Sequence, residues 1–539
     1  MRIVGKVLRF LLSLLCSMSI RPKLEPASPS TWASSATITS RIPWFWLGMA
    51  SIFLVSLGLR FWGLSRFNVL VFDEVYYANF AAGFLRGEQQ FGGHPPLSTY
   101  IHAFGIWVAQ DLGWGDPSLS NNLTGTLLTT FSYRWINALI GSFIPWVVGA
   151  IAFQLIPRYS FAFLAALFAA ADGLFLVESR YALNNIFLVL FGLLGHLFLL
   201  LALKARRRQL SGDFSEDGKS DRTVTLEFWT LLTLAGIGFA AAIAIKWNGA
   251  GFLLGAYLLW AIAWGVRWCE NRRGISQGYL RGRDLSPLET LSRLTPLHVL
   301  YALALVPAIA YRLSWLPYEQ LNPSKSFWQW QLAVLDYHQR VGGMEAHPYC
   351  SPWYSWPLMA RPVAYFYQVG TGAGETPPPG RSGEVFYDVH AIGNPILWWL
   401  STAAIVLIAV VLLVQVWKTC RRLVDAHLPA PTSVLPPKRT STWAMAFLVT
   451  NWATNWLPWA KVTRCVFLYH YMGASVFSLM AIALIVDRNL RSQEPTRRQL
   501  AIGAIGLVLL AFVFWMPLYL GLPMSATGLQ IRRWFPSWI

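Results

Sequence analysis

Charge is what this chain has least of. Asp, Glu, Lys and Arg together make 13% of its 539 residues, and only 25 positions are acidic. Soluble domains carry about a quarter charged residues, so a soluble core of this length is excluded. Cysteine is also scarce: Cys16, Cys269, Cys350, Cys420 and Cys465 show no metal-ligand spacing, which excludes zinc modules. There is no P-loop, no dinucleotide fingerprint and no internal repeat. A net charge of +18 invites a nucleic-acid reading. No nucleic-acid module is present, however, and the placement of the charges gives a different reason for the excess.

What the chain has instead is apolar length, with 55% hydrophobic and 15% aromatic residues. Runs long enough to cross a bilayer of ~30 Å recur throughout. Eleven spans are expected, at 43–62, 134–155, 161–178, 183–203, 228–246, 249–266, 297–316, 394–416, 442–459, 465–486 and 500–520. Shorter apolar pieces at 7–20 and 98–110 read as helices lying at the interface. With the N-terminus inside, the inner segments hold roughly 28 Lys and Arg and the outer segments roughly 12. Clusters such as Arg206-Arg207-Arg208, Arg272-Arg273, Arg421-Arg422 and Arg497-Arg498 fall on the inner side. The basicity is topological. Arg2, Lys6 and Arg9 precede an apolar run as in a signal peptide, but no A-x-A site follows, so residues 1–42 read as a retained cytoplasmic arm.

This orientation puts the loop 63–133 and the long polar segment 317–393 outside, with an outer tail at 522–539. Residues 43–316 read as a catalytic module and 394–521 as a second module of four helices. The connectors 204–227 and 267–296 read as solvated, 427–441 as disordered, and the polar patch Gly113–Thr126 in the outer loop as disordered too. Cys350 and Cys465 both lie outside, which leaves a disulfide between them open.

In so acid-poor a chain, Asp73-Glu74, set among Phe72, Val75, Tyr76 and Tyr77, stands out. A carboxylate against apolar surface has a raised pKa and can take a proton from a hydroxyl as a bond forms, although a loop acid can also be only a helix cap. His94-Pro95-Pro96-Leu97 follows, where two prolines fix the path of the chain and His94 either turns the loop or binds a polar ligand. Arg134, Arg180, Lys246, Lys461 and Arg464 break the charge rule at the outer interface. Each alone reads as a snorkelling anchor, but together they suit an anion such as a lipid phosphate. Asp172 lies inside the third expected span, where an unpaired charge costs at least ~2.5 kcal/mol and needs a partner.

The order of several motifs resembles the protein O-mannosyltransferase family of integral membrane enzymes. These are Phe72-Asp73-Glu74, His94-Pro95-Pro96-Leu97, the Arg134 segment, Ser179-Arg180, Lys246-Trp247-x-Gly249, His347-Pro348-Tyr349 through Trp353 to Leu358, Gly393-Asn394-Pro395, and Arg464-Cys465 through Tyr469-His470-Tyr471. The resemblance implies an all-α GT-C glycosyltransferase fold with about eleven transmembrane helices. It also implies transfer of mannose from a polyprenyl-phosphate-mannose lipid donor to Ser or Thr hydroxyls of an acceptor protein, on the outer face of the plasma (inner) membrane. Segment 317–393 is too short for the family's β-trefoil insert, which indicates the bacterial type. Two positions depart from the family pattern: Thr99 stands where Lys is frequent and Asn185 where Asp is frequent.

Asp73 and Glu74 are therefore the expected catalytic pair, with Asp73 the base and Glu74 positioning the acceptor or supporting Asp73. Arg134, Lys246 and Arg464 are expected at the donor phosphate, and His94, Arg180, Asp172, His347, Trp353 and His470 near the substrates. Neither a metal nor another cofactor is expected. The competing readings are a GT-C transferase acting on a glycolipid and a transporter of lipid-linked sugars. A transporter places its charges near the bilayer midplane on repeated, broken helices, whereas here they crowd one interface.

Overall fold

The computed structural model describes residues 42–211, 221–272, 290–370, 385–424 and 439–539. The expected cytoplasmic arm with its interfacial piece at 7–20, the centres of both inner connectors, and the disordered reading of 427–441, apart from its end at 439–441, lie outside the described residues. In chain order the helices are α1 (Ile42–Phe61), α2 (Glu74–Leu85), α3 (Leu97–Asp111), α4 (Thr130–Leu155), α5 (Tyr159–Ala170), α6 (Gly173–Glu178), α7 (Asn185–Ser211) and α8 (Asp221–Ile245). They continue with α9 (Ala250–Arg272), α10 (Pro296–Leu321), α11 (Phe327–Arg340), α12 (Pro395–Val424), α13 (Arg439–Trp456), α14 (Met472–Leu490), α15 (Pro495–Leu520) and α16 (Ala526–Gln530). Four short strands, β1 (Ser120–Asn121), β2 (Leu128–Thr129), β3 (Val363–Val369) and β4 (Phe386–Ala391), form two antiparallel pairs.

Among the described residues nine helices are long and apolar enough to cross a membrane: α1, α4, α7, α8, α9, α10, α12, α14 and α15. The expected span at 161–178 is instead broken. Asp172 takes extended geometry and accepts a hydrogen bond from the Phe175 N–H, which ends α5 and caps α6. The expected span at 442–459 is α13, which stops at Trp456 and passes into a 3-10 turn at Leu457–Lys461. The core sits where α14 is enclosed by α5, α12, α13 and α15, and where α7 packs along α8 and α4. Small residues permit these approaches: a Cβ on Gly238 of α8 would lie 2.8 Å from the Gly195 backbone of α7.

The outer loop 63–133 is built rather than loose. α2 and α3 pack on each other and α3 packs on α4, leaving Phe104 and Trp107 of α3 exposed. The patch Gly113–Thr126 is ordered, contrary to expectation. Asp116 caps a 3-10 turn through Ser118 N (2.9 Å), and Asn121 donates to Asn68 (2.7 Å). Short polar side chains that look like disorder in sequence are here the turn makers. Across the other outer loop, Cys350 and Cys465 form a disulfide with Cα atoms 5.3 Å apart. Beside it Ser351 N donates to Val466 O and Cys465 N to Gly342 O, so this loop is tied to the turn before α14. The tail is docked on the same loop by the Phe386–Met524 bridge and by Arg361 donating to Ser537 O (2.9 Å).

Candidate functional site

The two adjacent carboxylates have opposite fates. Glu74 opens α2 and is fully buried. Its Oε1 accepts from Arg134 Nε (2.8 Å) and Ala182 N (2.8 Å), and its Oε2 from Arg134 Nη2 (2.7 Å) and Val71 N (2.8 Å). No acceptor site is left over for substrate, so the expectation of a catalytic or acceptor-binding Glu74 gives way to a structural role. Asp73, one residue earlier, occupies the N-cap position of α2 yet makes no capping bond, and its carboxylate makes no hydrogen bond among the described residues. Capping, the bland use of such an acid, is therefore not what Asp73 does.

Asp73 is presented by a strained backbone. Phe72 has φ +51°, one of two non-glycine residues in the left-handed region among those described. Such strain persists only where the surroundings over-determine it. Here Phe72 is stacked on Tyr365 (ring centroids 4.2 Å, planes 9° apart) with the edges of Phe467 and Tyr469 around it. Burial pushes the Asp73 carboxyl up to about 6, against the opposing charge of Lys246.

Lys246, in the turn between α8 and α9, is buried. Its Nζ donates to Asn185 Oδ1 (3.1 Å) and lies 5.5 Å over the Tyr469 ring. Arg464 is half-buried, spends one N–H on Cys465 O (3.0 Å), and makes no other hydrogen bond among the described residues. Both cations act on His94 and on His338, whose rings lie 5.0 Å apart. Burial first, then these cations, hold both imidazoles neutral, with His338 at about 4. His470 shares their field and turns its Nδ1 back to Phe467 N (3.1 Å). The result is a cluster of two cations and three histidines facing one uncommitted carboxylate.

The other expected site residues belong to the scaffold. Arg134 spends all five N–H donors inside the protein, two on Glu74 and three on the carbonyls of Leu64, Phe67 and Val69 (2.8–3.0 Å). In this arrangement it has no donor left for a phosphate. Arg180 donates to the carbonyls of Leu59, Arg60, Trp62 and Gly63, so it stabilises the C-terminal end of α1 rather than binding substrate. The partners of Asp172 are the Phe175 amide and the Trp398 indole, not an outer cation. His347 turns its Nδ1 to Tyr349 N (3.2 Å) and packs on Phe467, and Trp353 packs on Trp456 (5.1 Å). Both order the outer loop.

Sequence reasoning gave no site role to His338, Tyr365, Tyr469 or Glu178, although Tyr469 stands in one of the family motifs. Glu178 carried the signal already applied to Asp172, a carboxylate at the end of an apolar run. It is fully buried and accepts from Tyr365 Oη and from Asn185 Nδ2 (3.1 Å). Asn185, one of the two departures from the family pattern, thus bridges Glu178 to Lys246.

Two family models match the chain. One, dolichyl-phosphate-mannose-protein mannosyltransferase, covers residues 50–282; the other, the C-terminal four-helix region of protein O-mannosyltransferase, covers residues 323–538. The chain is 25% identical over 506 residues, 87% of each sequence, to the polyprenol-phosphate-mannose–protein mannosyltransferase of Mycolicibacterium smegmatis. To the protein of that name from Corynebacterium glutamicum it is 24% identical over 572 residues, 96% of each. In fold it is similar to the S. cerevisiae protein O-mannosyltransferase complex bound to the sugar donor, with TM-score 0.65 and 14% identity, covering 96% of this chain and 97% of that one.

Proposed function

The chain belongs to the protein O-mannosyltransferase family, and from that premise we propose how its site works and on which side of the membrane. It is a multi-pass membrane glycosyltransferase of GT-C fold that transfers mannose from a polyprenyl-phosphate carrier to protein. The acceptors are Ser and Thr hydroxyls, and transfer inverts the anomeric carbon. The acceptor oxygen attacks C1 of mannose and the bond from C1 to the phosphate oxygen breaks. The electron pair leaves with the phosphate, and the hydroxyl proton passes to Asp73. Lys246 and Arg464 meet the charge that grows on the leaving phosphate, and the neutral imidazoles of His94 and His338 can donate to its oxygens. The observation that carries this reading is a half-buried carboxylate with no structural hydrogen bond, set opposite a buried ammonium.

The direct test incubates the purified enzyme with radiolabelled polyprenyl-phosphate-mannose and a Ser/Thr peptide. Label released from the peptide by alkaline β-elimination supports the assignment, while, with membrane lipids added, label moved to a glycolipid distinct from the donor and none to the peptide overturns it in favour of a glycolipid acceptor. In the same assay Lys246→Ala should lower turnover by about 10²-fold, the usual cost of removing one donor to a developing anion. A near-normal rate would return Lys246 to the role of interface anchor.

The site faces outward from the inner membrane, with the N-terminus in the cytoplasm. A cysteine introduced at Gly92, in the loop beside His94, should react with an impermeant maleimide in intact cells. One at Gln493, in the turn between α14 and α15, should react only after permeabilisation. The reverse pattern would invert the topology.

A further inference from the structure

We infer that Glu178 is a positioning residue that holds Lys246 charged and Asp73 aimed, through two hydrogen-bonded arms that diverge from its one carboxylate. This rests on the reading of Lys246 as the cation at the leaving phosphate.

The first arm runs to the cation. Glu178 Oε2 accepts from Asn185 Nδ2 (3.1 Å), and Asn185 Oδ1 accepts from Lys246 Nζ (3.1 Å). The direction of that amide is dictated from both ends, because a carboxylate only accepts and an ammonium only donates. Asn185 therefore points its oxygen at Lys246 for as long as Glu178 is ionised. All three groups are buried, where a counter-charge is screened little.

The second arm runs to the base. Tyr365 Oη donates to Glu178 Oε1, and the Tyr365 ring is the one stacked on Phe72. The register of β3 against β4 shifts between Ala364 and Phe366, which leaves Tyr365 as the bulged residue. A bulge re-aims a side chain out of the strand's alternation, and here Tyr365 reaches across to α6. Glu178 pins the hydroxyl, the ring pins Phe72 at φ +51°, and Phe72 sets the entry of Asp73. One buried carboxylate thus fixes both the base and the cation of the proposed reaction, without touching substrate.

Glu178→Gln separates this from a packing role, because it keeps the volume and the acceptor for Tyr365 but removes the charge. Its amide meets the Asn185 amide donor to donor. Asn185 then turns over and presents N–H to the ammonium. Other groups facing Lys246 are Asp73 before α2, Arg464 before α14, and His94, His338 and His470. Arg464 disfavours the ammonium, so with Glu178 neutral Asp73 is the one opposite charge left to support it, beside the face of the Tyr469 ring 5.5 Å away. The basic limb of the pH dependence of kcat/KM should move to lower pH by at least about one unit, the low end of what an opposite charge contributes.

The double variant Glu178→Gln with Asn185→Asp restores the charge one link along the chain. The amide introduced in α6 then donates to the carboxylate introduced at the start of α7, which faces the ammonium directly. The basic limb should return to its wild-type position. Each variant is assayed for mannose transfer from polyprenyl-phosphate-mannose between pH 5 and 10, beside Lys246→Ala. A wild-type basic limb in Glu178→Gln, or a double variant no better than the single one, overturns the inference. Failure of both to accumulate as folded protein also overturns it, by assigning Glu178 to the scaffold. If Lys246→Ala is itself as active as wild type, it is the Lys246 reading that falls, and the inference with it.

Discussion

In a transfer assay, Asp73→Asn is expected to lose at least about 10²-fold in turnover while binding the lipid-linked sugar as the wild type does. The substitution keeps the shape of the side chain and removes only its basicity. Nothing structural leaves with the charge, because the carboxylate makes no hydrogen bond among the described residues, and Asn suits the N-cap of α2 as well as Asp does. The pH dependence gives an independent check on the same group. A general base works deprotonated, and burial pushes Asp73 up to about 6. The rate should therefore rise with pH, reach half its plateau near 6 and be lost below it, some two units above the behaviour of an exposed aspartate. Because Lys246 favours the charged carboxylate, removing Lys246 should move this acid limb to higher pH. Retention of more than about a tenth of the activity by Asp73→Asn would show that Asp73 is not the base, since loss of a base costs at least ~10².

The long helices were legible because a bilayer turns span length into a one-dimensional signal that a run of apolar residues carries openly. The same averaging hid the break at Asp172. A window across 161–178 is apolar on both sides of the break, and only the side-chain cap on Phe175 N reveals that two helices meet there. At the site, Asp73 was conspicuous through scarcity alone. The cations were harder, because sequence places a charge at a depth but does not say which way it points. Arg134 lies at the right depth for a phosphate and turns instead to carbonyls of residues 64–69, three of them in a loop that precedes it by more than sixty positions. Arg180 does the same at the end of α1. Glu178 and Tyr365 meet across 187 residues, a pairing that no local pattern encodes.

Arg134→Ala should therefore cost the fold before it costs the chemistry. Removing one partner of a buried ion pair leaves the other charge uncompensated, at about 3–5 kcal/mol. Glu74, with no exposed surface, is that partner. The carbonyls of Leu64, Phe67 and Val69 lose their donors as well, each at about 1–3 kcal/mol if no water reaches it. Against a whole stability of about 5–15 kcal/mol, these losses are large enough to unfold the outer loop that carries Asp73. Arg134→Lys should rescue little, since an ammonium offers three donors where five are used and cannot meet Glu74 side-on. Glu74→Gln should fail in the same way, because its amide turns an N–H toward a guanidinium or a backbone N–H that needs an acceptor. The measurement is monodispersity and thermal unfolding of the detergent-purified variants, with donor binding recorded separately. If Arg134→Ala is as stable as wild type and is defective only in binding polyprenyl-phosphate-mannose, then Arg134 is a phosphate ligand after all, and its five hydrogen bonds in the free enzyme must be exchanged when the donor arrives.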